Sequence, residues 1–210
     1  MENEMNNKEI RLNLGCASRL LDGYTNVDMD SVEQIKRRYP NLEINDSNPF
    51  LQCDVLNLPF EDSSVDEVRA DAILEHMSFL EEPKFFKEAT RVLKPGGILN
   101  ISVPDFEHMV REWLNAEDNW KDFFRNDDEA IAQEHWFGQY SYSYESRWGY
   151  ITAGIFGPQN GDGQYHKNAY TQEKLLAIYK KLGYKDTEIS RFYWKETRPD
   201  LMIRAVGYKK

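Results

Sequence analysis

The sequence predicts a doubly wound α/β domain with a mainly parallel sheet covered by helices on both faces. Two patterns carry that expectation. Short apolar runs alternate with helix-spaced apolar stripes through the first half of the chain, and each run ends on small or acidic turn residues. The length agrees, since 210 residues supply one substantial core and are short for two, so residues 1–210 are expected to form a single domain.

The elements follow in order. Ile10 to Leu14 is an apolar-rich strand ending at Gly15, Tyr24 to Met29 is a second, and Phe50 to Val55 contains a third. Val32, Ile35 and Tyr39 fall at helical spacing, after a cap at Asp30 or Ser31 and before a stop at Pro40. Val65 to Ala70 is the fourth strand. Pro83 suits the first turn of a helix whose Phe85, Phe86, Ala89, Val92 and Leu93 form one stripe. Pro95-Gly96-Gly97 is expected to end it, with Ile98 to Val103 as the fifth strand. Asp105 can cap a helix carrying Phe106, Met109, Val110, Trp113 and Leu114 on one face.

From Glu117 to Tyr165 the character changes. Helical fragments around Trp120 to Phe124 and Ala130 to Phe137 lead into a stretch rich in Gly, Tyr and Ser. So long an irregular insertion (117–165) is expected to be a lid, a substrate-binding segment or a homodimer contact. Order returns with a helix from Gln172 to Leu182, bearing Leu175, Leu176, Tyr179 and Leu182 and closed by Gly183. Tyr184 to Tyr193 and Met202 to Tyr208 then form two strands joined by a turn near Pro199.

Composition narrows the function. Hydrophobic residues make up 40% and charged residues 30%, as in a folded soluble chain, and no apolar run approaches the roughly 20 residues that cross a membrane. A net charge of −10 disfavours nucleic-acid partners, and the basic cluster Lys36-Arg37-Arg38 reads as a solvated helix face. Met1 to Glu9 is polar and reads as a flexible tail. Cys16 and Cys53 are too few for a disulfide scaffold, so reduced thiols in a cytoplasm are expected. The His, Cys and acidic residues lack metal-ligand spacing, so no metal site is expected.

In an open parallel sheet, ligands bind beyond the carboxyl ends of the strands. After the first strand comes Gly15-Cys16-Ala17-Ser18, a tight turn of small residues that a ligand backbone can approach closely. Asp28, with Met29 and Asp30 beside it, ends the second strand, where a carboxylate can accept from both hydroxyls of a ribose. Asp54-Val55-Leu56 follows the third, where a carboxylate and a backbone amide can read an adenine edge. Each feature alone is commonplace; their joint placement at three successive strand ends is specific. A nicotinamide-binding turn would need further glycines for the pyrophosphate, and only Gly15 is present.

The segment LNLGCASRLLDGYTNVDMD (Leu12 to Asp30) resembles the first two motifs of class I S-adenosylmethionine (SAM)-dependent methyltransferases. QCDVLNLPFEDSSVDEV (Gln52 to Val68), ADAILEHM (Ala70 to Met77), EATRVLKPGGILNISVPD (Glu88 to Asp105) and YTQEKLLAIYKKLGYKDTEI (Tyr170 to Ile189) are similar to later segments of that family. The resemblance implies a Rossmann-like seven-stranded sheet of order 3-2-1-4-5-7-6 with strand seven antiparallel. It implies SAM as cofactor, with Gly15, Cys16 and Ala17 around the methionine tail and Asp28 with Met29 at the ribose. Asp54, Val55 and Leu56 then frame the adenine, and Ala70, Asp71 and Ala72 lie beneath the sulfonium. Ala17 stands where the family usually has glycine, and only Ser18 to Gly23 separate the first loop from strand two, so the helix there is shortened.

The reaction so implied moves a methyl group to a small-molecule or saccharide-type oxygen or nitrogen. His76, just past strand four, is the candidate catalytic base or acceptor contact. Tyr142, Tyr144, Trp148 and His166 are the candidate acceptor-binding residues, and His108 is expected to be solvent-exposed. The other function class that the sequence allows is a non-catalytic SAM-binding or protein-interaction module on the same fold.

Overall fold

A computed structural model describes residues 9–116, 151–157, 159, 163–195 and 198–210. The predicted tail up to residue 8, the helical fragments at 120–124 and 130–137, and residues 117–150 of the aromatic segment lie outside the described residues.

Seven strands form one sheet of order β3-β2-β1-β4-β5-β7-β6. They are β1 (Arg11–Leu14), β2 (Thr25–Asp28), β3 (Phe50–Gln52), β4 (Val65–Asp71), β5 (Leu93–Pro104), β6 (Lys185–Lys195) and β7 (Arg198–Tyr208). All pairings through β5 are parallel, and β7 runs antiparallel to both β5 and β6. The helices are α1 (Val32–Arg38), α2 (Glu82–Val92), α3 (Phe106–Asn115), α4 (Thr152–Phe156) and α5 (Gln172–Leu182). Both architecture and strand order match the expectation.

Local chemistry explains the boundaries. Ser31 caps α1 through a capping box with Gln34, and Asp105 caps α3 by accepting from the His108 amide. Thr171 accepts from the Lys174 amide to start α5, and Gly183 in the left-handed conformation closes it. Phe85, Phe86 and Ala89 of α2 and Leu175 and Tyr179 of α5 bury one face of the sheet at Leu12, Leu14, Val68, Ala70, Leu99, Ile101, Ile203 and Ala205. The Tyr179 hydroxyl lies within hydrogen-bond reach of the Leu99 and Ala205 carbonyls, so its buried oxygen is satisfied inside that core.

Side chains on the opposite face of the central strands alternate with that apolar set. They are polar. Tyr24 donates to Glu67, Arg69 pairs with Asp71, Arg204 donates to Ser102, and Asn13 donates to Asn26. No helix joins β1 to β2: residues 15–24 form only turns and extended chain, so the shortened crossover helix is absent altogether. A face without an apolar helix above that loop has no use for apolar residues beneath it.

Three expectations need correction. Pro95-Gly96-Gly97 does not end α2, which stops at Val92; Leu93 already pairs with Val65, and the tripeptide sits at the irregularity where the β4–β5 register shifts. A bulge tolerates a proline that cannot donate to the ladder. The last turn, by contrast, falls near Pro199 as expected, since Lys195 pairs with Arg198 just before it. Pro199 lies beyond the Pro104–Met202 pair that ends the β5–β7 register, so its missing N–H breaks no bond on that side. Finally, the α3 stripe is only half covered among the described residues: Leu114 stays 62% exposed, while Met109 abuts α4 at Gly154. His108, expected in solvent, is half-buried.

Among the described residues, no helix is long and apolar enough to cross a membrane.

Candidate active site

The site is built where β1, β2, β3 and β4 end. Gly15 adopts φ +66°, and a Cβ there would stand 2.3 Å from Cδ1 of Ile73. The first loop therefore rests directly on the turn after β4, and only a residue without a side chain fits. Ala17 also takes a left-handed φ of +42°. Its amide donates to Oδ2 of Asp28 at 2.8 Å, and the Cys16 amide donates to the Val27 carbonyl at 3.1 Å, so loop one is pinned to the end of β2.

Asp28 works in two directions. Its Oδ1 accepts from the Asp30 amide at 3.0 Å, shaping its own turn, and each oxygen keeps a second acceptor site. Its carbonyl accepts from the Cys53 amide at 2.8 Å, which brings the third strand end alongside. Asp54 Oδ1 in turn accepts from the Leu56 amide at 2.9 Å. Val55 is buried, Leu56 packs partly on the core, and Met29 projects into solvent, 70% exposed. Gly15, Cys16, Ala17, Asp28, Asp54 and their neighbours thus do converge. The Cys16 thiol, buried and beside the Asp28 carboxylate, is pushed up to about 12, which makes it an inert neutral group at pH 7.

At the end of β4 the three expected residues separate. Ala70 is wholly buried on the face under α2 and α5, so its methyl belongs to the core and not to the strand-end site. Asp71 and Ala72 do reach the end. Asp71 pairs with Arg69 at 2.7 Å and Arg19 at 3.8 Å through Oδ2, while its buried Oδ1 has no hydrogen-bond partner among the described residues. The Arg19 guanidinium lies 3.8 Å from the centroid of the Trp194 ring, a contact that sequence reasoning missed because Arg19 and Trp194 meet only through folding.

A one-turn 3₁₀ helix, Leu74–His76, follows. His76 Nδ1 lies 3.2 Å from the Tyr165 carbonyl, and its ring meets that of His166 edge-on with centroids 4.8 Å apart. Burial lowers the His76 imidazole, and burial plus the neighbouring His76 ring lower His166 to about 4, so both rings are neutral at pH 7. Glu75 lies fully inside, its carboxyl pushed up to about 8 by burial with a further rise from Asp71, and its Oε2 has no partner among the described residues. Ligating atoms of Glu75, His76 and His166 all lie within 4.8 Å of one another. The expectation that no residues have metal-ligand placement came from sequence spacing, and folding overturns its premise.

The segment bearing His166 is firmly anchored. Lys167 and Asn168 donate from their amides to the Glu75 carbonyl, and the His166 amide donates to that of Phe156. Gly157 must be glycine, since a Cβ there would stand 2.1 Å from the Gln164 carbonyl oxygen. Beyond it, Glu82 gathers Tyr170, Asn168 and Lys174. Burial alone would raise the Glu82 carboxyl, but bonds from Lys174 and Tyr170 outweigh it and hold it below the usual range. Tyr142, Tyr144 and Trp148 lie outside the described residues.

A family model described as a methyltransferase domain matches residues 13–101, which span β1 to β5 and include each strand-end residue above. The structure is similar over 96% of its length to a SAM-dependent methyltransferase of Thermotoga maritima, covering 82% of that chain with a TM-score of 0.55 at 14% identity. Residues 13–101 are thus similar to the methyltransferase domain family, and the fold as a whole is similar to that of SAM-dependent methyltransferases. A methyltransferase of Burkholderia thailandensis holding S-adenosylhomocysteine and 1,6-didemethyltoxoflavin shares the fold, with a TM-score of 0.55, 12% identity, and coverage of 96% of this chain and 71% of that one. In sequence, the chain is 29% identical over 92 residues to a probable SAM-dependent methyltransferase of Mycobacterium tuberculosis. It is 34% identical over 91 residues to an uncharacterised transposon protein of Streptomyces fradiae. These two matches take in 44% and 42% of this chain but only 30% and 24% of the relatives' own lengths.

Proposed function

We propose that this protein transfers a methyl group from SAM to a small-molecule or saccharide-type acceptor. The observation that carries the reading is the Ala17 amide bond to Asp28 Oδ2, which joins two strand ends into one cradle. The residues present fit the cofactor: Asp28 retains a free acceptor site on each oxygen for the ribose hydroxyls, beside Met29. Gly15, Cys16 and Ala17 cradle the methionine tail, and Asp54, Val55 and Leu56 frame the adenine. Asp71 and Ala72 lie beneath the sulfonium, and the unpaired Asp71 Oδ1 offers a partner to the cofactor's positive charge.

When bound, SAM supplies an electrophilic methyl on sulfur. The protein's task is to line up the acceptor's lone pair with the methyl–sulfur axis, and such alignment can supply roughly 7–11 kcal/mol. His76 and His166 form the acceptor end, and Tyr142, Tyr144 and Trp148 are candidates for binding the acceptor on sequence grounds. His76, neutral and close to the β4 turn, acts on the acceptor's nucleophilic atom.

Calorimetry with SAM, S-adenosylhomocysteine and NAD, followed by transfer of radiolabelled methyl to hydroxylated and amine acceptors, tests this. SAM and its product bind one per chain and NAD does not. His76→Gln slows transfer by about 10²–10⁴-fold while SAM affinity stays as in the wild type. Absence of SAM binding refutes the reading.

A further inference from the structure

We propose that Glu75, His76 and His166 form a binding site for a divalent first-row metal ion of the zinc type, with a coordination position left for an outside ligand. Two imidazoles and one carboxylate, supplied from two distant parts of the chain, bring their ligating atoms within 4.8 Å of one another. Tetrahedral zinc with bonds of about 2.0–2.2 Å places its ligands about 3.3–3.5 Å apart, so side-chain shifts of about 1 Å complete the site. Nitrogen and carboxylate donors in this ratio suit zinc, cobalt, iron or nickel rather than magnesium or calcium.

Three independent features point the same way. Glu75 is fully buried and its Oε2 has no partner among the described residues, a costly arrangement that a cation would relieve. The second is how the rings are held. His76 Nδ1 is 3.2 Å from the Tyr165 carbonyl, and the His166 ring meets the His76 ring edge-on with centroids 4.8 Å apart. His76 thus can spend its Nδ1–H on the backbone and keep the Nε2 lone pair for a metal, as metal-ligating histidines do. The third is rigidity. The Lys167 and Asn168 amides on the Glu75 carbonyl, the His166 amide on the Phe156 carbonyl and the tight fit at Gly157 fix the distant ligand against the other two. Lys167, an exposed cation near His76, opposes a bound metal, whereas the Asp71 carboxylate near Glu75 favours it.

With the ion bound, the His76 lone pair is taken up by the metal and is no longer a base, and the metal would instead polarise an acceptor oxygen. That role rests on the methyltransferase reading; the binding does not.

Untagged full-length protein, stripped with chelator, is titrated with cobalt(II) and with zinc(II) by calorimetry and, for cobalt, by its visible absorption. One ion per chain is expected. Glu75→Gln and His166→Ala each weaken binding at least tenfold, and His108→Ala leaves it unchanged. SAM titrations run in parallel report the cofactor site separately, and their persistence in His166→Ala shows that the fold is intact. Should Glu75→Gln fail to fold, His166→Ala decides alone. The proposal is overturned if the stripped protein takes up no cobalt or zinc, or if His166→Ala binds them as the wild type does.

Discussion

Asp28→Ala lowers the affinity for SAM by about 10²–10⁴-fold. Two ribose hydroxyls bonded to one carboxylate contribute roughly 1.5–3 kcal/mol each, and each 1.4 kcal/mol is a factor of ten. The same change strips the partner from the Ala17 amide, so the loop that holds the methionine tail loosens as well. Asp28→Asn separates the two losses. It keeps an oxygen to accept one backbone amide but gives up the charge, and is expected to fall between wild type and Asp28→Ala. Binding is read by calorimetry, and an Asp28→Ala protein with wild-type affinity rules out the ribose contact.

Gly15→Ala lowers the thermal midpoint by roughly 5–15 °C and abolishes measurable SAM binding. The left-handed backbone at φ +66° costs an L-residue about 1–2 kcal/mol. The added methyl then drives into Ile73 Cδ1, 2.3 Å away, and overpacking of that kind costs about 1–3 kcal/mol more. A chain of this size loses roughly 2–4 °C per kcal/mol. Gly23→Ala is the control: its φ is +78°, but nothing lies within 4 Å of its missing Cβ, so only the backbone cost applies. Equal midpoints for the two variants, read by calorimetric melting, would remove the claim that loop one rests on the β4 turn. Ile73→Val in the Gly15→Ala background recovers part of the loss.

The sequence was most legible where local chemistry and fold agree. The α5 helix runs from Gln172 to Leu182 as expected, because a threonine cap, an apolar stripe and a closing glycine all specify it. The strand-end turns at Gly15, Asp28 and Asp54 were legible for the same reason, each being a short-range signal at the end of an apolar run. Burial was harder to read. Ala70 carries no mark that tells a core methyl from a site residue; that depends on which face of β4 it occupies. The α3 stripe looks like a core face, yet Leu114 remains exposed among the described residues. The Glu75–His76–His166 cluster was invisible because spacing along the chain says nothing of two segments joined by backbone bonds from residues 167 and 168 to residue 75. Its one trace in the sequence is the Glu-His pair directly after the fourth strand.

In the proposed function, three strand ends form one cofactor cradle. Amide chemical-shift mapping of the isotope-labelled protein on titration with S-adenosylhomocysteine tests this most directly. The predicted result is saturable shifts clustered at residues 15–17, 28–30, 54–56 and 71–72. Saturable shifts confined to other parts of the sheet, with those four clusters unmoved, would contradict it.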